Sequence, residues 1–430
     1  MKIEKLIEKI EGEASLDFSF EAGVVSDVRI RFGLYRGIEQ ILEKKAPRDA
    51  LVITPRVCGI CNHAHLMAAV KAIESGYRAS GIDVTLSPKA DAIREFTLAC
   101  ELIQNHVKWL YMTVIPHFES LTGKRSQENH ALKASYISTT ITKALAIFAG
   151  QWPHSSYAVP GGVTCDPTYV DVMQATALVE EAIRFFEQMM VGMPLEAYLG
   201  IDSVSQLHSI QGDVGRLMQR LGEAGMAEKG HSHDRFIVFG EGMGFVSGKA
   251  TATTVSSVDV RYVEESNQED STAKAVSYKQ KQFETGPLAR AIIAKNPLIK
   301  SLHKRYKDSL LTRVFARTHE VGLLLHRAKE ALVHLDVTQP SCMLESKLLS
   351  TDFEGVGTVE AARGSLIHRS VVKSGRIAHY DIIVPTQWNL SHGNASEKGV
   401  AVRAMIGSAS IEEASFIFRS FDVCSVCTMQ

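Results

Sequence analysis

Arg56-Val57-Cys58-Gly59-Ile60-Cys61-Asn62-His63-Ala64-His65 opens the stretch on which the reading of this chain turns. Pro55 and Gly59 mark a turn. From Asn62 onward the apolar spacing Leu66, Ala69, Val70, Ala72, Ile73 predicts a helix. The Cys58/Cys61 pair therefore sits in a loop at a helix N-terminus, where the helix dipole favours thiolates. A second pair, Cys424 and Cys427, lies in the closing stretch Asp422-Val423-Cys424-Ser425-Val426-Cys427-Thr428-Met429-Gln430. Each pair can offer two thiolates to one metal, and four sulfurs suit zinc, iron or nickel. Structural zinc usually separates its pairs by roughly 15–20 residues. Here nearly the whole chain intervenes, so a local zinc ribbon is impossible and the tail must dock beside the first loop. Spacing alone leaves structural zinc, a redox dithiol and a catalytic metal open.

The remainder of the chain is that of an ordinary folded protein. With 430 residues it has room for two or three domains. Hydrophobic residues make up 45% and charged residues 22%, and the net charge is −1, so no clustered basic excess points to nucleic acid. No apolar run reaches the ~18 residues of a membrane span. The opening MKIEKLIEKIEGEASLDF has neither a secretory apolar core nor a twin-Arg pair. The expected location is cytoplasmic, with any membrane association supplied by partners. Seven cysteines, an odd count, do not suggest a disulfide framework. Cys100, Cys165 and Cys342 are isolated and expected in the core.

Periodicity predicts helices over 90–117, 127–149, 171–190 and 311–335, which together imply a bundle core. Residues 231–265, rich in Val, Thr and Gly, predict short strands with tight turns. Residues 366–386 predict a hairpin turning at Ser374-Gly375. The expected fold class is α+β and mainly helical: a central long-helix bundle with smaller mixed and β-rich parts. The expected segments are a mixed N-terminal part over 1–60, a helical core over 61–228, a β-rich insertion over 229–300, and a helix, hairpin and tail over 301–430.

The residues around the cysteines narrow the chemistry. The chain resembles the large subunit of nickel–iron hydrogenases, whose signatures are R-x-C-G-x-C-x-x-x-H near the start and D-P-C-x-x-C-x-x-H at the end. Arg56, Cys58, Gly59, Cys61 and His65 match the first at every specified position. Asp422, Cys424 and Cys427 match the second. Further blocks follow in family order: Ile10-Glu11-Gly12, Arg36-Gly37-Ile38-Glu39, Pro47-Arg48-Asp49-Ala50, Pro160-Gly161-Gly162-Val163, Gly286-Pro287-Leu288-Ala289-Arg290, Glu360-Ala361-Ala362-Arg363-Gly364 and Pro385-Thr386-Gln387-Trp388-Asn389.

The resemblance implies that Cys58, Cys61, Cys424 and Cys427 hold nickel, with Cys61 and Cys427 bridging to an iron that carries carbon monoxide and cyanide. Arg363 would lie over the open site, oriented by Asp422. Pro385, Thr386 and Ala362 would contribute to the pocket around the iron ligands, the Thr hydroxyl donating to cyanide. Glu11 would relay protons beside Cys427, and His65 would donate to a cysteine sulfur. Asn105 and His106 are further residues expected near the site, and Ile60 would narrow the gas path. A magnesium or similar hard cation would be held by Glu39, the carbonyl of Ile382 and Gln430, which stands where the family has His. Val423 and Ala362 replace family prolines, and Glu13 follows Gly12 where the family has His.

The implied activity is heterolytic splitting of H2, or its formation. No further cysteine set is available for iron–sulfur clusters, so an iron–sulfur small subunit is expected as partner in a heterodimer or larger assembly. Maturation proteins are expected to load the site. The alternatives are a hydrogen sensor signalling to a kinase, and a structural member that has lost its metals.

Overall fold

The computed structural model describes residues 2–9, 12–240, 249–343 and 351–424. Five long helices form its centre: α1 (Asn62–Ala79), α2 (Pro88–Trp109), α3 (His130–Ala149), α4 (Tyr169–Phe185) and α5 (Leu310–Val333). Four of them begin at a side chain that meets an otherwise unpaired backbone amide. Ser87, Asn129, Thr168 and Ser309 each accept from the third residue beyond them, and Pro88 stands at the first helical position of α2. Cys61, at the start of α1, makes no such cap. The cap is supplied from elsewhere in the fold.

Two three-stranded antiparallel sheets flank the helices. The first is built from β1 (Lys2–Lys9), β2 (Gly12–Glu21) and β3 (Val24–Arg31). The second contains β4 (Phe353–Ala361), β5 (Gly364–Lys373) and β6 (Arg376–Ile383), in that order. The predicted turn at Ser374-Gly375 joins β5 to β6, with both residues at positive φ. The four long helices predicted from periodicity are present. Two of them, α2 and α4, pass into a π-helical turn at Leu110–Val114 and Phe186–Val191. Within 231–265 the described strands are short, Ile237–Val238, Thr251–Ala252 and the start of Val263–Gln268.

One packing contact sets the geometry of the site. β4 lies against α1 with helix and strand backbones nearly touching. A Cβ on Gly357 would fall 2.0 Å from the carbonyl oxygen of Ala68, and one on Gly355 would fall 2.0 Å from that of Ala72. Phe353, at the other end of the strand, packs edge-on against Tyr77 and against Gly76. The strand therefore runs antiparallel to the helix. Its last residue, Ala361, arrives beside the first turn of α1, and Arg363 follows at once.

The cysteines outside the two pairs divide. Cys100 is fully buried in the core, as expected, and burial pushes its thiol well above the usual range. Cys342 is exposed, so the expectation of a core position fails for it, whereas Cys165 is half-buried and packs against the edge of the core. Both lie in connecting segments, where a short apolar side chain contributes little to burial. Among the described residues no helix is long and apolar enough to cross a membrane.

Candidate metal centre

Cys58 ends a short 3-10 turn (Thr54–Val57) in extended conformation, and the chain then folds back so that the amides of Ile60 and Cys61 both donate to its sulfur, at 3.4 and 3.3 Å. These amides favour the thiolate. Four neighbours hold the loop. Arg36 donates to the carbonyls of Arg56, at 3.2 Å, and Val57. From α2, Gln104 and Asn105 both donate to the carbonyl of Ile60, at 2.9 and 2.6 Å. Glu101, one turn earlier, accepts from the amides of His63 and Ala64 at 2.7 and 2.9 Å and so caps α1 in place of Cys61. Burial pushes the Glu101 carboxyl up to about 8, against the pull of the two amides.

The tail reaches this loop through the helix Ile411–Arg419. Ser410 caps its start, and the Trp109 indole donates to the Arg419 carbonyl at its end, at 2.9 Å. Asp422 follows in the left-handed region at φ 62, an uncommon place for a non-glycine residue. Two guanidiniums hold it there: Arg363 Nη2 meets Oδ1 and Arg317 Nη1 meets Oδ2, both at 3.1 Å. Cys424 then brings its sulfur to 3.6 Å from that of Cys58. The sulfurs of Cys58, Cys61 and Cys424 all lie within 4.8 Å of one another and are buried, and they form the one group of metal-ligating side chains of this kind among the described residues.

Beside the sulfurs is a small cavity lined by Cys61, Ala64, His65, Ala361, Arg363, Leu366, Pro385 and Thr386. Pro385 and Thr386 begin the short helix Pro385–Leu390. The Thr386 hydroxyl is buried and has no hydrogen-bond partner among the described residues. Arg363 enters with Nη1 on the Asn105 amide oxygen, at 3.2 Å. Burial opposes its charge, but Asp422 and the sulfurs of Cys424, Cys61 and Cys58 hold the guanidinium protonated, well above its ordinary value.

Most of the sequence-predicted residues meet here. Cys58, Cys61, Cys424, Arg363, Asp422, His65, Asn105, Pro385 and Thr386 converge, and Arg363 is 5% exposed rather than on the surface. Ile60 packs against the core, its carbonyl held by α2. Ala361, not Ala362, lines the cavity: Ala361 is the last residue of β4, and Ala362 begins the two-residue turn that joins it to β5. The carbonyl of Ala362 instead accepts from Arg317 at 2.9 Å. His65 meets His368 through its Nδ1, at 3.1 Å. Glu39 and Ile382 are adjacent, but through the Ile382 amide, which donates to Glu39 Oε1 at 2.8 Å. The other carboxylate oxygen faces the Lys274 ammonium at 3.7 Å, with Glu265 at 3.5 Å from the same ammonium. Glu11, Cys427 and Gln430 lie outside the described residues.

Behind Asp422 the polar groups continue inward. Arg317 contacts His106, His106 meets Glu320 at 2.9 Å, and Arg290 grips Glu320 with two bonds of 2.7 Å. The importance of Glu101, Gln104, Arg317 and His368 was not read from the sequence. The signal was faint: Glu101, Gln104 and Asn105 interrupt an apolar helix at i, i+3 and i+4, which puts three polar groups on one buried face.

The nickel-dependent hydrogenase family model matches residues 36–115 and 245–430, more than half of the sequence. The chain belongs to the nickel-dependent hydrogenase family. It is the large subunit of a hydrogenase, an oxidoreductase acting on H2. It is 25% identical to the large subunit of the periplasmic [NiFeSe] hydrogenase of Desulfomicrobium baculatum, over 93% of this chain and 88% of that one. It is 23% identical to the sulfhydrogenase 1 subunit alpha of Pyrococcus furiosus, over 98% and 96%. The Ni-Fe-Se hydrogenase of D. vulgaris Hildenborough has the same fold, with a TM-score of 0.84 at 21% identity and full coverage of both chains. The long-helix core with small antiparallel sheets is thus the hydrogenase large-subunit architecture, of α+β class.

Proposed function

We propose that Cys58, Cys61, Cys424 and Cys427 hold a nickel–iron centre at which H2 is split into two protons and two electrons, or formed from them. The observation that carries this is the convergence of three buried sulfurs from opposite ends of the chain under a buried guanidinium. Thiolates suit nickel and iron. The buried Thr386 hydroxyl fits the same assignment: it has a donor to spare inside an apolar wall, where a cyanide nitrogen on iron would accept it. When bound, the pair of metals polarises H2 and takes up its electrons.

The protein's own part is positional and electrostatic. Arg363 places a fixed positive charge over the cavity, held on two sides by Asp422 and Asn105. The Ile60 and Cys61 amides stabilise the Cys58 thiolate. Glu11 is the proton relay assigned to this reading. Glu39, with the Ile382 carbonyl and Gln430, would hold a hard cation. The carboxylates of Glu39 and Glu265 around the single Lys274 ammonium supply the negative charge such a cation needs. Electrons leave to an iron–sulfur small subunit, since no further cysteine set in this chain could carry them. The setting is cytoplasmic, with maturation proteins loading the metals.

The test is infrared spectroscopy and metal analysis on protein isolated with its maturation machinery. Carbon monoxide and cyanide bands with one nickel per chain are expected, and Cys424→Ser is expected to lose both. Folded, matured protein with neither nickel nor those bands would refute the assignment.

A further inference from the structure

His65 lies one turn into α1 and lines the cavity beside Cys61, Arg363 and Thr386. Its Nδ1 is 3.1 Å from Nε2 of His368 on β5, and Nδ1 of His368 is 2.9 Å from the hydroxyl of Tyr380 on β6. The two imidazoles are tilted by 46° with centroids 5.3 Å apart, and all three side chains are buried. Burial keeps both rings neutral, His65 at about 4 and His368 well below its ordinary value. It also raises the Tyr380 phenol, which keeps its proton.

A neutral imidazole donates from one nitrogen and accepts at the other. Three groups in a row therefore allow two polarities. In one, the phenol donates to His368 Nδ1, His368 Nε2–H donates to His65 Nδ1, and His65 carries its proton on Nε2. In the other, both bonds reverse and the phenol proton meets no acceptor among the described residues. An unmet buried donor costs roughly 1–3 kcal/mol. That cost selects the first polarity.

We propose that His368 and Tyr380 are positioning residues: together they form a hydrogen-bond wire that locks His65 as its Nε2–H tautomer and turns that N–H toward the sulfur-lined cavity. The consequence for turnover rests on the nickel–iron reading. An N–H fixed toward metal-bound sulfur draws electron density from the metals, as outer-shell donors do. The tautomer itself does not depend on any metal.

Two measurements separate the wire from that reading. In the unloaded full chain carrying isotope-labelled histidine, long-range nitrogen–hydrogen correlations report each ring's tautomer. His65 is assigned by the signals lost in His65→Gln. An Nε2–H pattern is expected for His65 and His368, with mixed tautomers in Tyr380→Phe. An Nδ1–H pattern for His65 overturns the proposal whatever the metal content. In matured protein, the carbon monoxide and cyanide bands are expected to shift in Tyr380→Phe and His368→Gln. They are expected to stay fixed in Ile377→Val, which alters a buried residue of β6 outside the wire. Unshifted bands in both wire variants overturn the proposal. Bands absent from the unaltered protein overturn the nickel–iron reading instead and leave the tautomer result standing. If His368→Gln fails to mature, Tyr380→Phe, which removes a single oxygen atom, decides.

Discussion

Arg363 shows how much of this site depends on side-chain geometry. Its guanidinium spans Asn105 on α2 and Asp422 on the tail, so one planar group ties a helix, a strand end and the C-terminal segment together. Lysine keeps the charge but cannot bridge two acceptors with a rigid fork. Arg363→Lys is therefore expected to retain its nickel and lower H2 oxidation by about 100-fold or more, the usual consequence of losing a preorganised donor. Dye reduction under H2, normalised to bound nickel, checks this. Thr386 makes the complementary case. Its hydroxyl is buried without a partner among the described residues, so Thr386→Val removes a desolvated donor without changing shape. The unloaded variant is expected to be as stable as the parent or up to about 1–2 kcal/mol more stable in urea. The matured variant is expected to show shifted cyanide bands. A clear loss of stability without metals would mean the hydroxyl is already satisfied by the protein.

At the scale of elements, the pairing of α1 with β4 decides where the chemistry sits. Alanines and glycines on the helix, and glycines on the strand, let the two backbones approach until a single methyl group no longer fits. Gly357→Ala would put that methyl 2.0 Å from the Ala68 carbonyl, which belongs to the helix backbone and cannot swing aside. Overpacking of this kind costs typically about 1–3 kcal/mol, and here it also moves Arg363 away from Cys61. The expected result is a lower urea midpoint together with reduced nickel retention. Gly222→Ala is the control: it lies in the helix Asp213–Glu223 with open space at its Cβ, and is expected to gain up to about 1 kcal/mol. Equal behaviour of the two variants would show that the close approach is not what positions the site.

At the scale of the whole molecule, the interior is built from neutral histidines and paired ions. His319, between Tyr198 and Asn296, is lowered to about 4 by burial. His106 is also lowered to about 4 by burial, against the opposing pull of Glu320. Their unfolded values are about 6.5. Between these values the unfolded chain binds protons that the folded chain refuses, so stability falls as pH drops from about 6.5 toward 4. Each histidine contributes on the order of 3 kcal/mol to that loss. Glu320, held below the usual carboxylate range by Arg290 against the cost of burial, adds a further loss at lower pH. Urea titrations of the metal-free chain between pH 4 and 7 are expected to show this slope. His319→Gln is expected to flatten it by about 1.4 kcal/mol per pH unit. An unchanged slope would mean that His319 is protonated in the folded state.

Several features were fixed by local chemistry and so could be read along the chain. The two Cys-x-x-Cys pairs, the helix beginning at Asn62, the long amphipathic helices and the turn at Ser374-Gly375 depend on neighbours within a few positions. The return of the tail to the first loop is not local, but it too could be inferred along the chain, because four sulfurs on one site demand it. The choice of Ala361 over Ala362, the cap supplied by Glu101, the second clamp of Arg317 on Asp422, the exposure of Cys342 and the wire through His368 were settled only by tertiary structure. Each depends on which groups far apart in sequence end up sharing a buried volume. There a polar atom must find a partner or bear the cost of desolvation, and no local pattern states which partner that is.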